Sequence, residues 1–203
     1  VDIFILYPAG RTSDVQRRQM TTVPSANVHA IAVEGTFDDC QALVKAMFAD
    51  APFRDAHALA AVNSINWARI MAQIVYYVVA AVALGAPARK IAFAVPTGNF
   101  GNVYAGYAAM RMGLPIARLV VGTNRNDILA RFFQTAEMRK AAVVPTHSPS
   151  MDIQVSSNFE RLLFELYDRD AAAVAVSMGE FQSTGAFHVN RQAYEPASAL
   201  FAA

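Results

Sequence analysis

The chain alternates strand-length apolar runs with helix-length amphipathic runs almost from end to end, and few folds accept that order. Val1 to Tyr7, Asn27 to Glu34, Lys90 to Val95 and Ala117 to Gly122 have the length and composition of strands. Between them, Ser13-Asp-Val-Gln16 has the spacing of a capping box and opens a helix through about Thr22. Thr36-Phe-Asp-Asp39 places a cap and two acids ahead of the amphipathic run FDDCQALVKAMFAD. A long apolar helix follows Asn63-Ser-Ile-Asn66 and ends near Gly85 and Pro87. Another runs from about Asn102 to Met112, stopped by Gly113 and Pro115, and a third covers Asp127 to Ala136. Beyond Pro145 a polar segment, THSPSMDIQVSSN, precedes a helix RLLFELY capped from Ser157-Asn-Phe-Glu160. A further helix covers Ala171 to Phe181, and the tail after Gly185 has no clear period. Regular alternation of this kind predicts an α/β fold, parallel β-sheet layers flanked by helices, with ligands bound beyond the carboxyl ends of the strands. The connection APFRDAHALAAV (51–62) is the expected internal boundary, dividing residues 1–60 from 61–203.

Composition narrows the function classes. At 203 residues, 55% apolar and 16% charged, the sequence belongs with globular proteins. Seventeen Lys and Arg against sixteen Asp and Glu give a net charge of +1, so no bulk field recruits nucleic acid or an anionic membrane. The run Ile70 to Ala86 is apolar, but it is short of the roughly 20 residues a membrane span needs and carries Gln73, Tyr76 and Tyr77, which predicts a buried core helix. The one cysteine, Cys40, excludes an internal disulfide and is expected as a buried, inert thiol in a reducing, cytoplasmic setting. Histidines 29, 57, 147 and 188 lack metal-ligand spacing. The opening VDIFILYP has no start Met and no basic region. It reads as a strand of a fold already begun rather than as a signal peptide.

Three polar clusters carry the chemistry. In Val95-Pro-Thr-Gly-Asn-Phe-Gly-Asn102 the glycines at 98 and 101 allow positive φ angles, and the following helix points its unpaired N–H groups back at the loop. That arrangement serves equally as an anion site and as a tight turn with an Asn cap. It is neither a Walker A loop nor G-x-G-x-x-G. Asn63-Ser-Ile-Asn-Trp-Ala-Arg69 puts a cation in the first turn of a helix, where it opposes the dipole. Such an arginine either helps hold an anion or pairs with a surface acid. Ser148 to Asn158 is rich in donors and acceptors, and by itself reads as a solvated connection.

Taken together, LYPAGRTSDVQRRQM (6–20), HAIAVEGTFDDCQALVKAMF (29–48), NSINWARIMAQIVYY (63–77), VPTGNFGNVYAGYAAMRMGLP (95–115), GTNRNDILARF (122–132) and SPSMDIQVSSNFERLLFE (148–165) resemble the threonine synthases. These belong to the tryptophan synthase β-like, fold type II family of pyridoxal phosphate enzymes, and the resemblance spans residues 1 to about 170 in order. It implies that Gly98, Asn99, Phe100, Gly101 and Asn102 cradle the phosphate of pyridoxal 5'-phosphate. It also implies that Asn63 and Arg69, with Ser64 and Asn66, face the phosphate of O-phospho-L-homoserine, which such enzymes convert with water to L-threonine and phosphate. Ser150, Met151 and Asp152 would lie near that site. Residues 1–60 would be part of a small mobile domain and 61–203 part of the large phosphate-binding domain of a monomer or homodimer. A threonine dehydratase or cysteine synthase relative would share the glycine-rich loop but has no reason to pair it with NSINWAR and SPSMD.

The sequence departs from the family at one point. Its three lysines are Lys45, Lys90 and Lys140, and none precedes the Ser-Gly-Asp-Thr-Gly element that accompanies the family's covalent cofactor lysine. The expectation is an incomplete, central piece of a threonine synthase that is inactive alone. The alternative is a non-catalytic, truncated homologue that keeps only the anion site. Borohydride reduction of the 203-residue chain with pyridoxal phosphate, followed by peptide mapping, is expected to label none of the three lysines specifically; specific labelling of one would overturn this.

Overall fold

The structure, a computed structural model, describes residues 1–63 and 66–202, which divide into two compact units. The first comprises residues 1–60 and 143–153, and the second 61–142 and 154–203.

In the first unit, β1 (Ile3–Pro8) and β2 (Val28–Val33) pair in parallel, from Ile3 opposite Val28 to Pro8 opposite Val33, with α1 (Asp14–Thr21) as the crossover. Only half of the expected capping box forms at α1. Ser13 Oγ accepts from the Gln16 N–H at 3.2 Å, but the Gln16 side chain turns away and donates to Ser150 Oγ at 2.6 Å. At α2 (Phe37–Ala49) the box is complete, with Thr36 Oγ accepting from the Asp39 N–H and Asp39 Oδ2 accepting from the Thr36 N–H. These bonds from Thr36 hold the Asp39 carboxyl below its ordinary pKa. The adjacent Cys40 is buried as expected, and burial pushes its thiol pKa up.

The connection read as irregular from residue 51 instead starts with α3 (Ala51–Ala56). Asp50 caps it by accepting from the Phe53 N–H at 3.1 Å, and Pro52 sits in the first turn, where its missing N–H costs nothing. Residues 143–153 join this unit through a short 3₁₀ turn at Pro149–Met151. There Asp152 accepts from the Thr146 N–H and hydroxyl at 2.8 and 2.6 Å.

In the second unit, β3 (Ile91–Pro96), β4 (Ile116–Gly122) and β7 (Phe201–Ala202) form a parallel sheet in that order. Helix α5 (Gly101–Arg111) connects β3 to β4, and Gly113, at φ 105°, turns the chain after it. Beyond β4 come α6 (Ile128–Thr135), β5 (Glu137–Arg139), α7 (Phe159–Leu166), α8 (Ala171–Thr184), β6 (Ala186–His188) and α9 (Arg191–Leu200). The aperiodic tail thus holds two short strands and a helix, whose pattern Pro196 interrupts. β5 and β6 pair antiparallel, a local exception to the parallel rule. The core gathers Val95, Phe100, Val103, Leu119, Val121, Phe132, Phe159, Leu162 and Phe201.

Helix α4 (Trp67–Ala83) is unusual in being apolar on two faces. Ile70, Ile74, Tyr77 and Ala81 form a buried stripe, while Met71, Val75, Val78, Val79 and Val82 form a second stripe that is exposed. Four- and three-residue steps generate both stripes, and Arg69, Gln73 and Tyr76, spaced the same way, leave only a narrow polar edge between them. Among the described residues no helix is long and apolar enough to cross a membrane. Met71 is 54% exposed and Ile70 wholly buried, although they are chain neighbours. Ile70→Ala is therefore expected to lower unfolding free energy by about 2–5 kcal/mol, and Met71→Ala by less than about 0.5 kcal/mol, measured by urea denaturation.

Candidate functional site

The carboxyl ends of β3 and β4 lie side by side, with Pro96 opposite Gly122 and the Thr97 N–H donating to the Gly122 carbonyl at 2.9 Å. The polar corner Gly98–Asn102 leaves the sheet here, at the edge where an α/β fold binds ligands. The positive φ that the glycines would allow is adopted by Phe100, at 66°, and by neither Gly98 nor Gly101. Burial explains the reversal. Phe100 has no exposed surface, and its ring packs 5.3 Å from Phe159, 5.5 Å from Phe201 and 6.1 Å from Phe133. The positive φ at Phe100 goes with delivery of its ring to that cluster, and aromatic burial outweighs the roughly 1–2 kcal/mol the conformation costs.

The consequence is a helix start with no side-chain cap. Phe100 occupies the N-cap of α5 and has no acceptor to offer, and no acid lies in the first turn. Asn99, one residue earlier, accepts from the Gly101 N–H through Oδ1 at 3.0 Å. The N–H groups of Asn102 and Val103 belong to the first turn, have no intrahelical acceptor by helix geometry, and sit at the positive end of the dipole. An anion is the natural partner of such an end.

A second polar run closes on the same corner. The Asn158 N–H donates to the Asn99 carbonyl at 3.0 Å, and Gln154, Ser156, Ser157 and Asn158 are all buried. Ser156 Oγ, among them, is buried without a hydrogen-bond partner. A hydroxyl left so beside a polar loop fits a site built to receive a polar ligand. Asn158, rather than the Ser157 named by the sequence, is the N-cap of α7, and it makes no side-chain cap bond. Its Oδ1 instead accepts from Arg161 Nε at 3.0 Å.

The start of α4 belongs to the same neighbourhood. Trp67 stands edge-on to Tyr104 of α5 at 6.3 Å, and Arg161 lies over the Trp67 ring at 5.6 Å, so contacts run from Trp67 through Arg161 and Asn158 to Asn99. Asn66 is the N-cap of α4. Its Oδ1 accepts from the Ala68 N–H and its Nδ2 donates to the Ala61 carbonyl, both at 3.0 Å, so both ends of its amide are used locally. Arg69 follows in the first turn, exposed, and among the described residues it makes no ion pair. Of the two readings of this arginine, the pairing with a surface acid is thus not seen among the described residues. Asn63 is exposed on the entering loop, and Ser64 lies outside the described residues. Ser150, Met151 and Asp152 belong to the first unit.

The lysines are exposed and placed elsewhere. Lys90 precedes β3 at its amino end, one strand length, about 20 Å, from the corner. Lys140 lays its ammonium over the Phe181 ring at 4.7 Å. Lys45 is on α2, in the first unit.

Residues 1–200 match the family described as pyridoxal-phosphate dependent enzyme. The chain is 58% identical over 201 residues to the threonine synthase of Pseudomonas aeruginosa, covering 99% of this chain and 43% of that relative. It is 46% identical to the threonine synthase of Saccharomyces cerevisiae, covering 99% and 41%. Among solved structures, a pyridoxal-phosphate-bound threonine synthase from Brucella melitensis superposes with a TM-score of 0.87 at 56% identity, covering 99% of this chain and 43% of that one. The chain therefore spans about two fifths of the length of these relatives, and its fold is that of type II pyridoxal phosphate enzymes.

Phe100 joins the corner to the core, and its removal separates the two effects. Phe100→Ala is expected to cost about 3–5 kcal/mol in urea unfolding. It should also move the backbone amide resonances of Gly98 to Asn102, while a distant core truncation of similar cost leaves them in place.

Proposed function

The chain belongs to the pyridoxal-phosphate dependent enzyme family, and from that premise we propose that it is the central segment of a threonine synthase. In this reading Gly98, Asn99, Phe100, Gly101 and Asn102 hold the phosphate of pyridoxal 5'-phosphate, and Asn63, Ser64, Asn66 and Arg69 receive the phosphate of O-phospho-L-homoserine. The observation that carries it is the uncapped, acid-free start of α5, with the buried and unpartnered Ser156 hydroxyl close by in the chain that packs on the corner. High identity to threonine synthases, maintained across nearly the whole chain, supports the choice of reaction.

Pyridoxal phosphate, when bound, supplies the conjugated ring system that stabilises negative charge at substrate carbons. This chain's residues bind and orient. The first-turn N–H groups of α5 fix the phosphate end of the cofactor, with backbone dipoles that need no reorganisation. Arg69 offers a planar fork to the substrate phosphate and stabilises the charge that collects on it as the γ-carbon–oxygen bond breaks. In the whole enzyme, water and O-phospho-L-homoserine would become L-threonine and phosphate. The proton-moving lysine of this chemistry is not among Lys45, Lys90 and Lys140, so turnover belongs to a longer polypeptide.

We assign residues 1–60 with 143–153 to the small mobile domain, and 61–142 with 154–203 to the large phosphate-binding domain. The enzyme works in the cytoplasm, as a monomer or homodimer, on a small-molecule substrate. The non-catalytic homologue that keeps only the anion site is the competing reading, favoured by the placement of the lysines.

Amide chemical-shift mapping of the 203-residue chain tests the site. Pyridoxal phosphate and inorganic phosphate are each expected to shift Gly98 to Asn102. Arg69→Ala should leave that response unchanged while weakening O-phospho-L-homoserine binding about ten- to hundredfold, the range for a hydrogen-bonded charge contact. Shifts confined to other residues would remove the assignment. Turnover of the substrate by a polypeptide of the relatives' length, against none, separates the enzyme from the binding-only homologue.

A further inference from the structure

Tyr77 lies in the middle of α4, in the stretch that the sequence presents only as apolar helix, yet its hydroxyl ends on the corner. Tyr77 Oη lies 2.6 Å from Asn102 Oδ1 and 2.9 Å from the Asn102 carbonyl oxygen. Its ring is 4% exposed and stands edge-on to Phe93 at 4.9 Å, so the phenol has little freedom. The room for that ring comes from Gly106, one turn into α5. A Cβ there would stand 2.6 Å from Tyr77 Cε1, 2.8 Å from Cζ and 3.0 Å from Leu119 Cδ2. Gly106 has an ordinary helical backbone and pays the propensity cost of glycine inside a helix, so the space it leaves is its evident physical reason.

A phenol has one proton, and of the two oxygens within reach the side-chain Oδ1, at 2.6 Å, takes it ahead of the Asn102 carbonyl oxygen at 2.9 Å. With Oδ1 taken by the Tyr77 hydroxyl, the exposed Asn102 side chain turns its other end, the Nδ2 group with two N–H donors, away from Tyr77. An asparagine free to rotate would have to give up that freedom to turn its nitrogen toward an anion, because the oxygen repels phosphate. Burial raises the Tyr77 pKa well above its ordinary value, which keeps the hydroxyl a donor throughout the working pH range.

We propose that Tyr77 is a positioning residue for the anion corner: it grips the Asn102 carboxamide by its oxygen and so presents Nδ2 to a phosphate group, in a space that Gly106 leaves open. The inference rests on the assignment of Asn102 to phosphate binding made above and adds the residue that orients it. In the opposite amide orientation Nδ2 donates to Tyr77 Oη and the oxygen faces the ligand, and Asn102 then opposes the anion.

The test is a double-mutant cycle on the 203-residue chain, with dissociation constants for pyridoxal phosphate and inorganic phosphate. Asn102→Ala is expected to weaken binding about tenfold and Tyr77→Phe about three- to fivefold, within the range for hydrogen bonds to a charged and a neutral partner. The double variant should be no weaker than Asn102→Ala, because Tyr77 acts only through Asn102. Asn102→Asp keeps the acceptor for Tyr77 but has no N–H, so it should lose binding at least as far as Asn102→Ala while unfolding normally. Where Tyr77→Phe fails to fold, the response of the Asn102 side chain in the unmodified chain decides the matter. In the unmodified chain the Asn102 side-chain N–H₂ resonances should move on adding phosphate. No binding by the unmodified chain, or an unchanged Asn102→Ala, removes the phosphate assignment together with this inference. A weakened Asn102→Ala beside an unchanged Tyr77→Phe, an additive double variant, or full binding by Asn102→Asp overturns the inference alone.

Discussion

Burial of Phe100 is the constraint from which the corner's properties follow. Its ring enters a cluster with Phe133, Phe159 and Phe201, and the backbone delivers it there at positive φ. This places a residue with no polar side chain at the start of α5, where Ser, Thr, Asp or Asn would ordinarily satisfy the first N–H groups. The anion-seeking helix end is thus a by-product of core packing. Because the cluster includes α6, α7 and β7, several elements of the second unit hold the ring in place. The strain at Phe100 is a local conflict resolved in favour of the core, a pattern often found where a structure also binds.

The two apolar faces of α4 express a different constraint. A helix apolar on two faces is normally enclosed, and here one stripe is exposed from Met71 to Val82. The groove beside it, lined by Val78, Val82, Pro87, Met112, Leu114 and Pro115, has a volume of about 290 Å³ and is apolar as well. An exposed contiguous surface of this kind is a site of association or of aggregation.

Features set by neighbouring residues were legible in the sequence, and those set by distant ones were not. The parallel order, the Thr36–Asp39 box and the stop at Gly113 depend on spacings of a few residues. The Gln16 side chain misled because its partner, Ser150, lies 134 positions away and competes successfully with the local cap. Asn158 displaced Ser157 as the N-cap because its backbone is tied to the Asn99 carbonyl. The antiparallel β5–β6 pair joins segments separated by two helices, and nothing in either three-residue strand announces the other. At the site, the corner itself was visible as a polar interruption. Its left-handed residue was not, because glycine is the usual answer and tertiary packing chose phenylalanine.

A single helix end contributes limited affinity, and this gives the supporting contacts their importance. Charged hydrogen bonds contribute about 1.5–3 kcal/mol each, a millimolar complex needs about 4 kcal/mol, and association opposes binding with a cost of its own. Two or three contacts to a phosphate therefore hold it only where the donors are already in place. The corner is arranged in that way. Asn99 is fastened to Gly101 and Asn158, Phe100 is fixed by its ring, and Asn102 is gripped by a phenol that α4 supplies. Each of these lowers the conformational entropy lost on binding without touching the ligand. Rigidity built from the core outward is what turns a strand-to-helix turn into a place where an anion can stay.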